Sequence, residues 1–232
     1  MNKGVGNLSR KRKLRNILLS FLVTFAFIVI LFITAGTFDW FWAWVLASVM
    51  LAGTTLGVVL LDPGLIEERT GVKKGYERRD LPLAFIMGRL GPLAVIVVAG
   101  LDFRFNWSGL LPDIYAVLGL VLILIGYVPT LWAMRGNRFF SGVVRIQKER
   151  GHHVVAAGPY RFVRHPGYLG SIIYMLGLPF VLTSYWAFVP AVATVIVVVV
   201  RTALEDDTLK RELEGYTEYA HRVRYRLLPG VW

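Results

Sequence analysis

The chain contains no cysteine. That absence removes disulfides, thiolate nucleophiles, thiolate metal ligands and palmitoylation together. Histidine is nearly as scarce, with four residues; His152 and His153 are adjacent and so project differently from a helix or a strand, and no metal site is expected. No Gly-rich dinucleotide loop follows a strand, no phosphate-binding loop occurs, and no serine sits in a nucleophile elbow. Acidic residues are few, 15 against 26 Lys and Arg, for a formal net charge of +11. On a soluble domain that balance would suggest nucleic acid, but no basic groove with interleaved aromatics is present, and nucleic acid is not an expected partner. Internal repeats and low-complexity segments are missing too.

What the chain has instead is apolar length. Hydrophobic residues make up 56% of it, and they come in long runs with the charges between them. A spanning helix needs about 20 apolar residues to cross about 30 Å of hydrocarbon. The runs predict an all-α, polytopic integral membrane helical bundle of about six transmembrane helices, over 16–35, 40–61, 82–101, 114–134, 167–183 and 186–204. The first run is too long for a signal-peptide core and lacks a small-residue cleavage site, so it reads as a retained span. Residues 1–134 read as an N-terminal four-helix membrane region and 135–232 as a separate C-terminal core. The last two spans, joined around Ser184 and Tyr185, read as a tight helical hairpin.

Lys and Arg concentrate in the tail before span one (Lys3, Arg10, Lys11, Arg12, Lys13, Arg15), after span two (Arg69, Lys73, Lys74, Arg78, Arg79), after span four (Arg135, Arg138, Arg145, Lys148, Arg150, Arg161, Arg164) and after span six (Lys210, Arg211, Arg222, Arg224, Arg226). All four segments fall on one side of a six-span model, and only Arg104 falls on the other. Both termini are therefore expected in the cytoplasm. After span six, Leu209, Leu213, Tyr216, Ala220 and Val223 follow a helical period, a stripe suited to the membrane surface or to the cytoplasmic loops. Trp40, Trp42 and Trp44 read as an interfacial belt, and Gly53 with Gly57 as a small-residue packing pair in span two.

Two clusters carry possible chemistry. In the first, Pro159 sets a turn and Pro166 suits the first position of a helix. The free N–H groups of that helix start favour an anion, and Tyr160, His165 and Tyr168 offer aromatic faces for a purine or a sulfonium. The same residues read as interfacial aromatics with a basic anchor, and composition alone favours that plainer reading. In the second, Arg201 and Glu205 are four apart, on one helix face, and can pair. Ionisable residues so near a span face a polar cavity or snorkel outward. Arg89, inside span three, is a third candidate.

The run from Gly158 through Pro159, Tyr160, Arg164, His165, Pro166, Gly167, Tyr168 and Leu169 to Gly170 resembles the signature of isoprenylcysteine carboxyl methyltransferases and the related membrane phospholipid methyltransferases. Arg201 to Asp206, then Tyr216 and Tyr219 before Pro229, resemble the same family's C-terminal pattern. The likeness covers 144–232, with weaker echoes at 137–140, 101–105, Asp62-Pro63 and Glu68-Arg69, and its texture is that of the prokaryotic branch. The resemblance implies S-adenosylmethionine as cofactor, held by Gln147, His152, His153, Val154, Val155, Tyr160, His165, Pro166, Gly167, Tyr168 and Glu205. It implies a substrate-contacting arginine at Arg201, and Arg201 with Glu205 as the catalytic pair. Asp206 stands where the family has a second acidic residue, with a shorter reach. The implied reaction is methyl transfer to a lipophilic or prenylated acceptor drawn from membrane lipid, most simply the carboxylate of an isoprenylcysteine-like acid, at the cytoplasmic face of a prokaryotic inner membrane. Phospholipid headgroup N-methylation is the alternative chemistry, and a non-catalytic lipid-binding or scaffold protein the alternative class.

Overall fold

A computed structural model describes residues 3–61, 65, 75–109 and 111–232, with side chains from Leu14 onward. The upstream echoes at Asp62-Pro63 and Glu68-Arg69, and the basic residues Arg69, Lys73 and Lys74, lie outside the described residues. The secondary structure is helical: α1 (Lys3–Ala35), α2 (Phe41–Leu60), α3 (Asp80–Phe105), α4 (Asp113–Gly136), α5 (Pro166–Val181), α6 (Phe188–Glu212) and the short α7 (Tyr216–Arg222). Short 3-10 turns at Lys148–Arg150 and Gly158–Arg161 interrupt the long connection between α4 and α5.

Five of these helices are long and apolar enough to cross a membrane, and the chain is an integral membrane protein. The fifth expected span, 167–183, is α5, a short helix of 16 residues, about 24 Å at 1.5 Å per residue. Its place is set by backbone contact with α4. Added Cβ atoms on Gly119 and Gly126 of α4 would lie 2.7 Å from the carbonyl oxygens of Gly177 and Gly170, and one on Gly177 would lie 2.9 Å from the Gly119 oxygen. Each pair is seven residues apart, two helical turns, so both fall on one face and the helices touch main chain to main chain. The tightest partner of α5 is thus α4, while α6 follows α5 across the short 182–187 connection and also packs on it. Gly53 packs under the Tyr127 hydroxyl of α4, whereas Gly57 faces open space.

Pro92 shapes α3. Its ring excludes the carbonyl four residues back, at Gly88. The helix responds by widening into a π-turn over Ile86–Leu90, closed by Gly91 N donating to Ile86 O. The Gly88 carbonyl that Pro92 leaves over accepts from Arg89 Nη1 at 2.8 Å. That bond accounts for the arginine within the third span.

The helix ends sort into two groups. At one end Asp102 accepts from Ser108 N (2.7 Å) and from the Ser108 and Ser184 hydroxyls, and Trp42 Nε1 donates to Asp113 at 2.8 Å. Trp40 is buried there and stacked on Phe103 at 4.1 Å. The other end collects Asp80, Arg201, the 137–165 connection and the C-terminal segment. The apolar stripe after α6 packs on that connection. Leu213, Tyr216 and Tyr219 join Ala133 and Tyr160 in one core, with Val154, Val155, Leu209, Ala220 and Val223 against it.

Candidate active site

The 137–165 connection is held in shape by its own side chains. Asn137 Oδ1 accepts from Phe139 N at 2.9 Å, which turns the chain out of α4. Phe139 is buried under the His152 ring (4.5 Å between centroids) and under the Arg138 guanidinium (4.7 Å). Gln147 has no exposed surface. Its Nε2 donates to Phe139 O at 2.7 Å, and its Oε1 accepts from Arg150 Nη1. It does not line the cleft; it pins the loop from behind. Its backbone N–H donates to His152 Nδ1 at 3.2 Å, so neutral His152 carries its proton on Nε2. Burial first, then the charges of His153, Arg145 and Arg150, pull the His152 pKa down to about 4, and the ring is neutral at neutral pH.

Gly158, at φ +60°, stands against the Trp132 indole and starts the turn that buries Tyr160. Tyr160 OH donates to Ala133 O (3.4 Å) and accepts from Asn137 Nδ2 (3.3 Å), while Tyr219 OH donates to Tyr160 O (2.8 Å). Burial pushes the Tyr160 phenol up, so it stays a donor. His165 precedes α5 and stacks parallel on Tyr168 (5.7 Å, 5°). Tyr168 OH donates to Glu205 Oε2.

These groups enclose a cleft of about 780 Å³, open solvent included. Ten of the twelve residues expected in the site line it: His152, His153, Val154, Val155, Tyr160, His165, Pro166, Gly167, Tyr168 and Glu205. The main-chain groups of Val154 and Val155 make no hydrogen bond to any described residue, leaving a free peptide edge on the wall.

Arg201 lies elsewhere. It is 1% exposed, and its carboxylate partner is Asp80 rather than Glu205. Nε and Nη2 donate to Asp80 Oδ1 and Oδ2 at 2.6 and 2.9 Å, and Nη2 also reaches Gly142 O at 2.9 Å. Asp80 Oδ2 accepts in addition from Val144 N at 2.7 Å, a residue of the cleft wall. The Arg201 guanidinium lies 5.3 Å from the Tyr168 ring, which separates it from the cleft.

Sequence reasoning missed the carboxylate of Asp80, and it noted Asp206 only as a shorter acidic residue in the family pattern, without a role. Asp206 is fully buried. It accepts from Arg164 Nε and Nη2 (2.6 and 3.0 Å), Arg226 Nε (3.0 Å), Tyr216 OH (3.0 Å) and Lys210 Nζ (3.1 Å), with His165 Nε2 at 3.3 Å. Arg164 Nη1 donates to Val223 O and Arg224 O, both at 2.7 Å, and Arg164 N and His165 N donate to Tyr225 O and Arg226 O, both at 2.9 Å. The C-terminal segment is thereby stitched beside the cleft. Burial and the Asp206 carboxylate push the Tyr216 phenol up, keeping it protonated as a donor to Asp206. The available signal was chemical: an aspartate in a chain poor in acid, one residue past Glu205.

Residues 114–214 match the sequence profile of the phospholipid methyltransferase family. Among curated relatives, a probable protein-S-isoprenylcysteine O-methyltransferase of Oryza sativa subsp. indica is 42% identical over 60 residues, covering 25% of this chain and 31% of the relative. Protein-S-isoprenylcysteine O-methyltransferase B of Arabidopsis thaliana is 32% identical over 111 residues (45% and 55%). Protein-S-isoprenylcysteine O-methyltransferase of Saccharomyces cerevisiae is 28% identical over 133 residues (56% and 53%). The chain spans from about a third to just over half the length of these relatives. The matches bear out the resemblance read from the C-terminal half of the sequence.

Proposed function

We propose, from that kinship and from the cleft, that the chain is a membrane methyltransferase that uses S-adenosylmethionine to methylate the carboxylate of a lipophilic, isoprenylcysteine-like acid. In this reading the cleft faces the cytoplasm from a prokaryotic inner membrane, with both termini on the same side. Residues 135–232 hold the reaction and 1–134 form the scaffold.

The observation that carries the proposal is the convergence of ten family-pattern residues on one cleft with a carboxylate, Glu205, on its wall. The cleft suits the cofactor in two respects. Glu205 and the Tyr160, His165 and Tyr168 rings supply a counter-charge and π-faces for a cation. The free peptide edge at Val154 and Val155 suits the edge of a purine. When bound, S-adenosylmethionine supplies an electrophilic methyl on a sulfonium. A carboxylate acceptor arrives ionised and needs no base, so the work left to the protein is positioning. His152, neutral with its pKa near 4, offers Nε2–H as a donor and does not remove a proton at neutral pH. That favours a carboxylate over an amine acceptor.

The test is transfer of labelled methyl from S-adenosylmethionine by the purified protein, to N-acetyl-S-farnesylcysteine and to a host lipid extract. The expected product is base-labile and releases methanol in alkali. A base-stable methyl in the phospholipid fraction would replace this reading with headgroup N-methylation. Absence of cofactor binding in calorimetry would leave the scaffold reading.

A further inference from the structure

The segment after α7 forms a closed turn on the flank of the spans. Leu228 O accepts from Val231 N and Trp232 N, both at 3.1 Å, and Trp232 O accepts from Leu227 N (3.0 Å) and Leu228 N (3.2 Å). Pro229 and Gly230 make its tip, with Gly230 at φ +82°, which glycine reaches without steric cost. The inner side of the turn is anchored. Leu227 is buried with Tyr168 and Val198, and Met87, Ile172, Val199 and Trp232 pack against that cluster. Ile172 is six residues inside α5, about 9 Å at 1.5 Å per residue, and Met87 and Val199 belong to the apolar spans α3 and α6.

The outer side of the turn is apolar and uncovered. Leu228 is 49% exposed and Val231 77%. The main-chain bonds from Arg164 and His165 to Tyr225 and Arg226 bring in the neighbouring turn, where Phe162 is exposed as well. Single exposed apolar side chains are ordinary, but a contiguous set beside a span marks a contact surface. Cations rim it. Arg161 lies over the Phe162 ring at 5.6 Å, and Arg161, Arg222 and Arg224 are all exposed. None of the three makes an ion pair with a described residue, whereas Arg164 and Arg226 are taken by Asp206.

We propose that this turn is an interfacial anchor for an anionic phospholipid surface. Leu228 and Val231 enter the acyl boundary of the leaflet, and Arg161, Arg222 and Arg224 hold lipid phosphates above them. Apolar side chains under a basic rim are the arrangement that binds such a surface. The anchor requires only that the chain span a bilayer, whichever reaction the cleft performs.

The chain has no cysteine, so a spin label can be placed at one site at a time. Full-length protein carrying Leu228→Cys or Val231→Cys is labelled and placed in nanodiscs of phosphatidylcholine with phosphatidylglycerol, or of phosphatidylcholine alone. Ile196→Cys, exposed on α6, gives the lipid reference, and Glu218→Cys, exposed on α7, the aqueous one. In the mixed bilayer both turn labels should collide more with oxygen than with a water-soluble nickel chelate, as at Ile196. They should shift toward the chelate in phosphatidylcholine alone, and also in the mixed bilayer when Arg222→Gln and Arg224→Gln are combined. The main-chain bonds of the turn survive these changes, so the melting temperature should stay at the wild-type value. Turn labels as open to the chelate as Glu218 overturn the anchor and leave the patch to a soluble partner. Labels equally deep in both bilayers, or unmoved by the arginine changes, overturn the anionic partner.

Discussion

Replacing Asp206 by Asn tests the C-terminal clamp. The change is nearly isosteric, but it removes the charge and turns one acceptor into a donor among five donor side chains. The cost is concentrated on Arg164, whose side chain is 4% exposed. Breaking a buried ion pair by removing one partner costs about 3–5 kcal/mol. Lys210 and Arg226 are 35% and 28% exposed; water and salt screen them, and each adds about 0–1 kcal/mol. The expected loss is therefore about 3–5 kcal/mol, much of the 5–15 kcal/mol that usually holds a domain together. Chemical unfolding in detergent reads the total. Hydrogen exchange reads the place, because the amides of Arg164 and His165 are bonded to Tyr225 O and Arg226 O and should lose protection first. Asp206→Glu keeps the charge and adds a methylene, so it should cost about 1–3 kcal/mol by overpacking. A loss under about 1 kcal/mol in Asp206→Asn, typical of an exposed pair, with both amides still protected would refute the clamp.

Three further outcomes are expected. Glu205→Gln removes the cleft's carboxylate and should weaken S-adenosylmethionine binding by about tenfold with little change in melting; equal affinity by calorimetry would take Glu205 out of the site. Gln147→Ala strands Phe139 O and should cost about 1–3 kcal/mol of stability with cofactor affinity held, whereas a large affinity loss at unchanged melting would make Gln147 a direct contact. The depressed His152 pKa means that the unfolded chain binds more protons between pH 6.5 and about 4. Its stability contribution is full above pH 6.5 and is lost as pH falls through that window; His152→Gln should flatten that part of the profile, and an unchanged acid limb would contradict the assignment.

The sequence alone determined the helical membrane bundle, because bilayer thickness imposes a minimum apolar length that any run either meets or does not. The residues now found on the cleft wall were pointed out by a resemblance to a methyltransferase pattern over 152–168 and at Glu205, while composition alone favoured a plainer interfacial reading. The apolar period of the tail marked the stripe with Tyr216, which the fold packs, with Tyr219, against Tyr160. Tertiary structure decided what depends on distance along the chain. Asp80 and Arg201 are 121 positions apart, and nothing local distinguishes that pairing from the i,i+4 partner Glu205. Gln147 looked like a ligand contact and proved to face inward, because only the folded loop shows which side of a turn is full. The α4–α5 glycine contact made a short helix the partner of a long one, and a glycine's role depends on what approaches it. Asp206 became the hub because packing removes water from it, which leaves Arg164, Arg226, Lys210, His165 and the Tyr216 hydroxyl as its partners among the described residues.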